Sequence, residues 1–170
     1  MRNKNKNRVF RFNRRIRGLT DYALRLRLLK SNMTRVVVRK SNKNSLVQLV
    51  QYDQKGDKII TSAKSIDLMS FGFKGNTGNI SAAYLTGYLA GKRALKKGFT
   101  DECIVDLGLQ HVMPKSRIFA AVKGIYDSGI KLRVSEEIFP DESRIVGEHL
   151  LVKDAKVSFE KTKKTIGDMK

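Results

Sequence analysis

The sequence has one cysteine, Cys103, which excludes an intramolecular disulfide and a cysteine-based zinc site and fits a reducing compartment. Its two histidines, His111 and His149, are too few and too far apart to suggest a metal centre. No apolar run reaches the length of about eighteen residues that a membrane span requires. The N-terminus lacks the apolar core of a secretion signal, because Val9, Phe10 and Phe12 stand isolated among polar and basic residues. Acid is missing altogether from residues 1–17. These absences lead to the expectation of a cytoplasmic, soluble protein with no metal site; no cofactor and no small-molecule substrate are expected either, because no active-site constellation is evident.

Positive charge dominates what is present. The 170 residues include 35 Lys and Arg against 16 Asp and Glu, a formal net charge of +19. An excess of that size repels itself unless a polyanion neutralises it, so it speaks about partners: nucleic acid first, an anionic membrane surface second. Hydrophobic residues make up 41 %, enough for a core and against a wholly disordered chain. The charge is unevenly placed. Residues 1–17 hold eight basic residues, Arg2, Lys4, Lys6, Arg8, Arg11, Arg14, Arg15 and Arg17. Residues 20–150 hold 21 basic and 13 acidic residues, a net of +8. The pattern divides the chain into a basic arm over 1–19, a globular domain over 20–150 and a polar, Lys-rich tail over 151–170.

The arm alone cannot bury enough apolar surface to offset its ordering entropy, so it is expected to order only on a partner. Thr20-Asp21 reads as a helix start with a capping hydroxyl and an acid in the first turn, and the helix runs to about Lys30, burying Leu24 and Leu28. Three strands follow, near 35–39, 46–52 and 59–63, joined by short polar links that make an antiparallel meander. A short helical piece near 66–71 and a glycine-rich loop precede a long helix from Ser81 to Lys97. In that helix Ala83, Gly87, Gly91 and Ala94 form a stripe of small residues suited to close packing on the sheet. A buried strand over 102–107 and a helix over 116–128 ending at Gly129 complete the set, with a further helix entry near Pro140 reaching about Leu150. The fold class is α/β in the α+β sense: one mixed, largely antiparallel sheet with packed helices, in the order helix, three strands, helix, strand, helix.

Candidate functional residues cluster in four places. In the arm, Lys and Arg suit phosphate contacts, and Phe10 and Phe12 suit stacking on unpaired bases; a solvated tail or a membrane-surface arm fits the same composition. Tyr22, Arg25, Arg27 and Lys30 share the first helix, although not all on one face, so some are ordinary surface charges. Arg39, Lys40, Ser41, Asn42 and Lys43 offer donors a few residues apart, as would any hydrophilic hairpin. Asn76 and Thr77 lie in the Gly75–Ser81 loop at a helix start, where amides can meet an anion; the loop lacks the Gly-Lys-Ser/Thr ending of a nucleotide-binding loop. Glu136, Glu137, Asp141, Glu142 and Glu148 could hold paired catalytic carboxylates, but helix-start acids and partners for nearby lysines explain them better. No nucleophile, base and orienting acid come together. An RNA-modifying or nucleotide-using enzyme built on the Gly75–Ser81 loop and a peripheral membrane protein remain the rival readings.

Several stretches resemble, in order, a known family. They include Arg14-Arg15 leading to Thr20-Asp21-Tyr22, then Arg25-Leu26-Arg27-Leu28-Leu29-Lys30-Ser31 and Arg39-Lys40-Ser41-Asn42-Lys43. Further along come Thr77-Gly78-Asn79, Ala83-Tyr84-Leu85-Thr86-Gly87, Asp106-Leu107-Gly108-Leu109 and Ser116-Arg117-Ile118-Phe119-Ala120-Ala121. The chain resembles, over about residues 11–150, the archaeal form of the 5S-rRNA-binding large-subunit ribosomal protein with universal number eighteen. The resemblance implies a non-enzymatic protein of the central protuberance that binds 5S rRNA, reaches the large-subunit rRNA and sits beside the other 5S-binding ribosomal protein. It also implies that the arm, the Arg25–Lys30 helix and the Arg39–Lys43 segment face RNA, with the Gly75–Asn79 loop and Lys115-Ser116-Arg117 as further contacts. Two departures stand out: Arg14-Arg15-Ile16-Arg17 interrupts what is often an unbroken arginine run, and nothing is implied for the tail.

Overall fold

The computed structural model describes residues 11–148 and 154–169. In chain order its elements are α1 (Asn13–Ile16), α2 (Tyr22–Leu29), β1 (Thr34–Lys40), β2 (Ser45–Gln51), β3 (Lys58–Lys64), a 3-10 helix (Ser65–Phe71), α3 (Ile80–Lys96), β4 (Cys103–Asp106), α4 (Arg117–Asp127), a second 3-10 helix (Glu136–Ile138), α5 (Glu142–Val146) and α6 (Asp154–Gly167).

Alternation along β1 decides which way the sheet faces. Val36 and Val38 are buried while Val37 and Arg39 are half-exposed, as expected when successive side chains point to opposite faces. β2 pairs antiparallel with β1, and β3 antiparallel with β2, so the meander is as read from the sequence. β4 returns after α3 and pairs parallel with β1, which gives the order β3-β2-β1-β4 and makes the sheet mixed. Val36, Val38, Val47, Leu49, Ala63 and Cys103 cover one face, and Leu85, Leu89, Ile118, Val122 and Ile125 of α3 and α4 pack against it. Burial there pushes the Cys103 thiol up to about 12, with help from the charges of Asp101 and Glu102, so it is an inert core group.

The small-residue stripe of α3 serves a different neighbour from the one expected. A Cβ at Gly87 would overlap the carbonyl oxygen of Ala121, and one at Gly124 would overlap that of Tyr84. The stripe therefore lets α3 and α4 cross backbone to backbone, and other residues of α3 meet the sheet.

Four further expectations are corrected. No residue of α2 is buried, so Leu24 and Leu28 do not enter the core. Asp21 rather than Thr20 caps that helix. The tail, read as polar, carries a buried face over its described part: α6 buries Phe159, Thr162 and Ile166, and the Phe159 ring lies 5.7 Å from that of Tyr84. The spacing i, i+3, i+7 makes that apolar stripe, diluted in the sequence by five lysines between 156 and 170. The helix near Pro140 is also shorter than read, since α5 stops at Val146, where Gly147 takes a φ of +88°.

Candidate nucleic-acid interface

Arm residues Arg2, Lys4, Lys6, Arg8 and Phe10 lie outside the described residues. From Arg11 onward the arm is structured. The Phe12 ring stands 4.9 Å from that of Tyr22, and Arg14 Nε donates to Thr20 Oγ1 at 2.9 Å, folding α1 back on the start of α2. The Asp21 carboxylate accepts from the amides of Ala23 and Leu24 at 2.9 and 3.1 Å. That is the one acid between residues 11 and 30. Arg11, Arg15, Arg17, Arg27 and Lys30 are all exposed, and none has an acidic partner among the described residues. A segment from Arg11 to Lys30 with no buried residue and five exposed cations lacking acidic partners presents a surface to an anion, not to the core.

What holds α2 to the body is charge. Arg25 donates to both oxygens of Asp57, at 3.0 and 2.9 Å, from α2 to the β2–β3 turn. Asp57 also accepts from Arg35 at 2.7 Å; Arg35 reaches Asp106 at 3.2 Å, and Asp106 accepts from Arg39 at 3.0 Å. Three arginines and two aspartates thus alternate across the sheet face that α3 and α4 leave open. Burial alone would raise the Asp57 carboxyl, but the hydrogen bonds and charges of Arg35 and Arg25 outweigh it and hold the group below the usual carboxylate value. Between α2 and the β1–β4 end runs a cleft of about 460 Å³ lined by Arg14, Tyr22, Leu24, Leu28, Arg39 and Leu109 among others. Arg25 and Arg39, expected to face RNA, are engaged in this ladder. Arg35, Asp57 and Asp106 were missed, and only the Arg-Val-Val-Val-Arg spacing, which puts both arginines on one strand face, could have indicated them.

The other expected segments come together just beyond the C-terminal end of β1, at the β1–β2 hairpin. Arg117, at the start of α4, donates to the carbonyl oxygens of Ser41, Asn42 (3.3 Å) and Gly78. Thr77 Oγ1 donates to the Lys43 carbonyl at 2.7 Å, and a Cβ at Gly78 would fall 2.6 Å from the Asn42 oxygen, so the loop sits directly on the hairpin. Asn76 Oδ1 accepts from the Gly78 amide at 2.8 Å, and Asn79 Oδ1 caps α3 by accepting from Ala82 at 2.7 Å. The loop's polar side chains are therefore engaged in holding the hairpin and the helix, which weakens a nucleotide-binding reading. Ser116 precedes α4 with its hydroxyl buried, and Lys115 pairs with Asp141 at 3.1 Å. Lys40 and Lys43 remain exposed with no acidic partner among the described residues.

Acids of the 136–142 segment mostly have partners on the chain itself. Tyr126 donates to Glu136 at 2.8 Å, Lys115 meets Asp141, and Lys123 approaches Glu142 at 3.8 Å. Among the described residues no group of three or more His, Cys, Asp or Glu could hold a metal ion, and no helix is long and apolar enough to cross a membrane.

Comparison with known proteins gives these cations a setting. Residues 6–102 match the family model described as ribosomal large subunit proteins 60S L5, and 50S L18. A large ribosomal subunit protein uL18 of Methanobrevibacter smithii is 47 % identical over 139 residues, covering 82 % of this chain and 72 % of that protein. Its counterpart in Methanothrix thermoacetophila is 47 % identical over 137 residues, covering 81 % and 80 %. That of Methanococcoides burtonii is 46 % identical over 139 residues, covering 82 % and 80 %.

Proposed function

The chain belongs to the family of ribosomal large subunit proteins L5 and L18, and from that premise we propose that it binds 5S rRNA and helps attach it to the large-subunit rRNA in the central protuberance. Its role is structural rather than enzymatic, and its place is the large subunit of the cytoplasmic ribosome, in contact with rRNA. The finer part of the reading, 5S rRNA together with the neighbouring 5S-binding ribosomal protein, comes from the family resemblance.

One observation supports it most. From Arg11 to Lys43 the chain exposes Arg11, Arg15, Arg17, Arg27, Lys30, Lys40 and Lys43 without acidic partners among the described residues, while the acids nearby are engaged in capping α2 and tying it down. Such a surface binds phosphates by releasing counterions, and the rigid sheet behind it fixes where the cations stand, so RNA shape supplies selectivity. In the arm, Phe10 and the exposed Phe12 are proposed to stack on bases or sugars, and Tyr22 to support Phe12.

The test is direct binding to purified 5S rRNA across a salt series with transfer RNA as competitor. Saturable binding that outcompetes transfer RNA at physiological salt is the expected result. Equal affinity for the two RNAs would reduce the protein to a generic polycation and overturn the 5S reading.

A further inference from the structure

We infer that Arg117 is a positioning residue rather than a phosphate ligand: it turns the tip of the β1–β2 hairpin so that the main-chain amides of Asn42 and Lys43 face outward to take an RNA phosphate beside the Lys43 ammonium. The inference rests on the RNA-binding reading and adds a mechanism to it.

The geometry follows from the peptide plane. In a trans peptide the N–H points opposite to the C=O, and the described chain has no cis peptide. The carbonyls of Ser41 and Asn42 both accept from the Arg117 guanidinium, so the amides that share those two planes, Asn42 N–H and Lys43 N–H, point away from it. The amides on either side are engaged. Ser41 N–H closes the turn on the Asn44 carbonyl at 2.8 Å, and Asn44 N–H donates to Ser41 Oγ at 3.0 Å. Asn42 and Lys43 N–H donate to no group among the described residues, and residues 41–44 are exposed. Two successive outward amides leave main-chain donors free on the solvent side of the tip, where a phosphate oxygen can accept from them. Lys43 adds a full charge at the same place.

Arginine suits the inward side for a specific reason. Its planar fork carries five N–H donors and can satisfy carbonyls from two different segments at once, here the hairpin and Gly78. Lysine offers a point charge with no fork. The guanidinium is only half-exposed, and its backbone is anchored where α4 enters the core at Ile118 and Phe119.

The experiment is a double-mutant cycle on the full-length protein, using Arg117→Lys, Arg117→Ala, Lys43→Ala and the doubles. Binding is measured on 5S rRNA and on transfer RNA in parallel at low salt, where both bind. Both Arg117 variants are expected to weaken binding about tenfold, the worth of one or two charge-assisted hydrogen bonds, with lysine giving no rescue. The Lys43→Ala penalty should shrink or vanish once Arg117 is replaced, because the tip is already misplaced. Additive penalties, or wild-type binding by Arg117→Lys, would overturn the inference by making Arg117 an independent charge. Should Arg117→Ala fail to fold, as judged by its amide NMR spectrum, the Arg117→Lys arm completes the cycle alone. Equal affinity of the wild type for the two RNAs would instead count against the 5S reading, with the cycle still read on either RNA.

Discussion

Arg35 and Asp106 meet at 3.2 Å across two parallel strands with only 2 % and 9 % of their side chains exposed. The register explains the pair. Asp106 lies opposite Val37, so on that face it stands between Arg35 and Arg39, two residues to either side, and it bonds both. Desolvating an ion pair costs about as much as its attraction returns, so the pair adds little net stability, yet removing one partner leaves a buried charge uncompensated. Asp106→Ala is therefore expected to destabilise the fold by about 3 kcal/mol in urea denaturation. Lys58→Ala, which breaks the exposed pair with Asp53, should leave the midpoint where it was. Equal effects of the two would mean that burial of the ladder is irrelevant.

Asp57 gives the ladder a pH signature. Its carboxyl is held below its ordinary value, near 3.9 in an unfolded chain, so ionised Asp57 stabilises the folded form. For a depressed acid that stabilisation is complete above the unfolded value and is lost as pH falls through the folded one. The stability gap between wild type and Asp57→Asn should stay constant from about pH 6 to pH 8 and close below about pH 4. A gap that persisted in acid would assign the effect to packing rather than charge.

Much of this was legible in the sequence, and the failures share a cause. Val36 and Val38, the β1–β2–β3 meander and the amphipathic faces of α3 and α4 carry their own periodicity, which local reading detects. The cationic segments were legible by composition. What composition cannot say is whether a cation is free. Arg39 and Arg117 look like Lys40 and Lys43 in the sequence, but one meets an aspartate 67 residues away and the other meets carbonyls about 75 residues away. Leu24 and Leu28 misled in the opposite sense, since a pattern suited to burial says nothing about whether a neighbour arrives. In α6 three inward residues among lysines were too weak a signal to distinguish a docked helix from a polar tail.

The α3–α4 crossing sets a steric limit. A methyl group at Gly87 would run into the Ala121 carbonyl, and a backbone cannot rotate aside as a side chain can. Gly87→Ala is expected to lose at least ~2 kcal/mol of stability, despite alanine's better helix propensity of about 1 kcal/mol. Lys96→Ala, in the exposed last turn of the same helix, should be close to neutral. A stabilised Gly87→Ala would show that the helices can separate at no cost.

At the arm, replacing Arg14, Arg15 and Arg17 with alanine removes three cations from a stretch that no acid balances. Binding to 5S rRNA should weaken, and the slope of log affinity against log salt should fall by roughly 2 to 3. Phe12→Ala should weaken binding with the slope unchanged, because stacking releases no counterion. A triple variant with an unaltered slope would remove this stretch from phosphate binding.

The C-terminal helix separates a folding role from a binding role within one element. Phe159 is 3 % exposed and packs 5.7 Å from Tyr84, whose hydroxyl donates to Asp127 at 2.8 Å; Ile166 is fully buried further along. Lys161 and Lys164, on the outward side, are exposed. Truncating a buried phenylalanine leaves a cavity that a close-packed body fills only in part, so Phe159→Ala should cost about 3 kcal/mol. Lys161→Ala together with Lys164→Ala should leave denaturation unchanged. If the segment were an extension ordered only by RNA, the pattern would invert: Phe159→Ala would be silent in the free protein, and both variants would matter only once RNA was added. Burial of Thr162 between Phe159 and Ile166 argues for the first pattern, because its hydroxyl is satisfied within α6, donating to the Ser158 carbonyl at 2.8 Å, and needs no RNA to complete it.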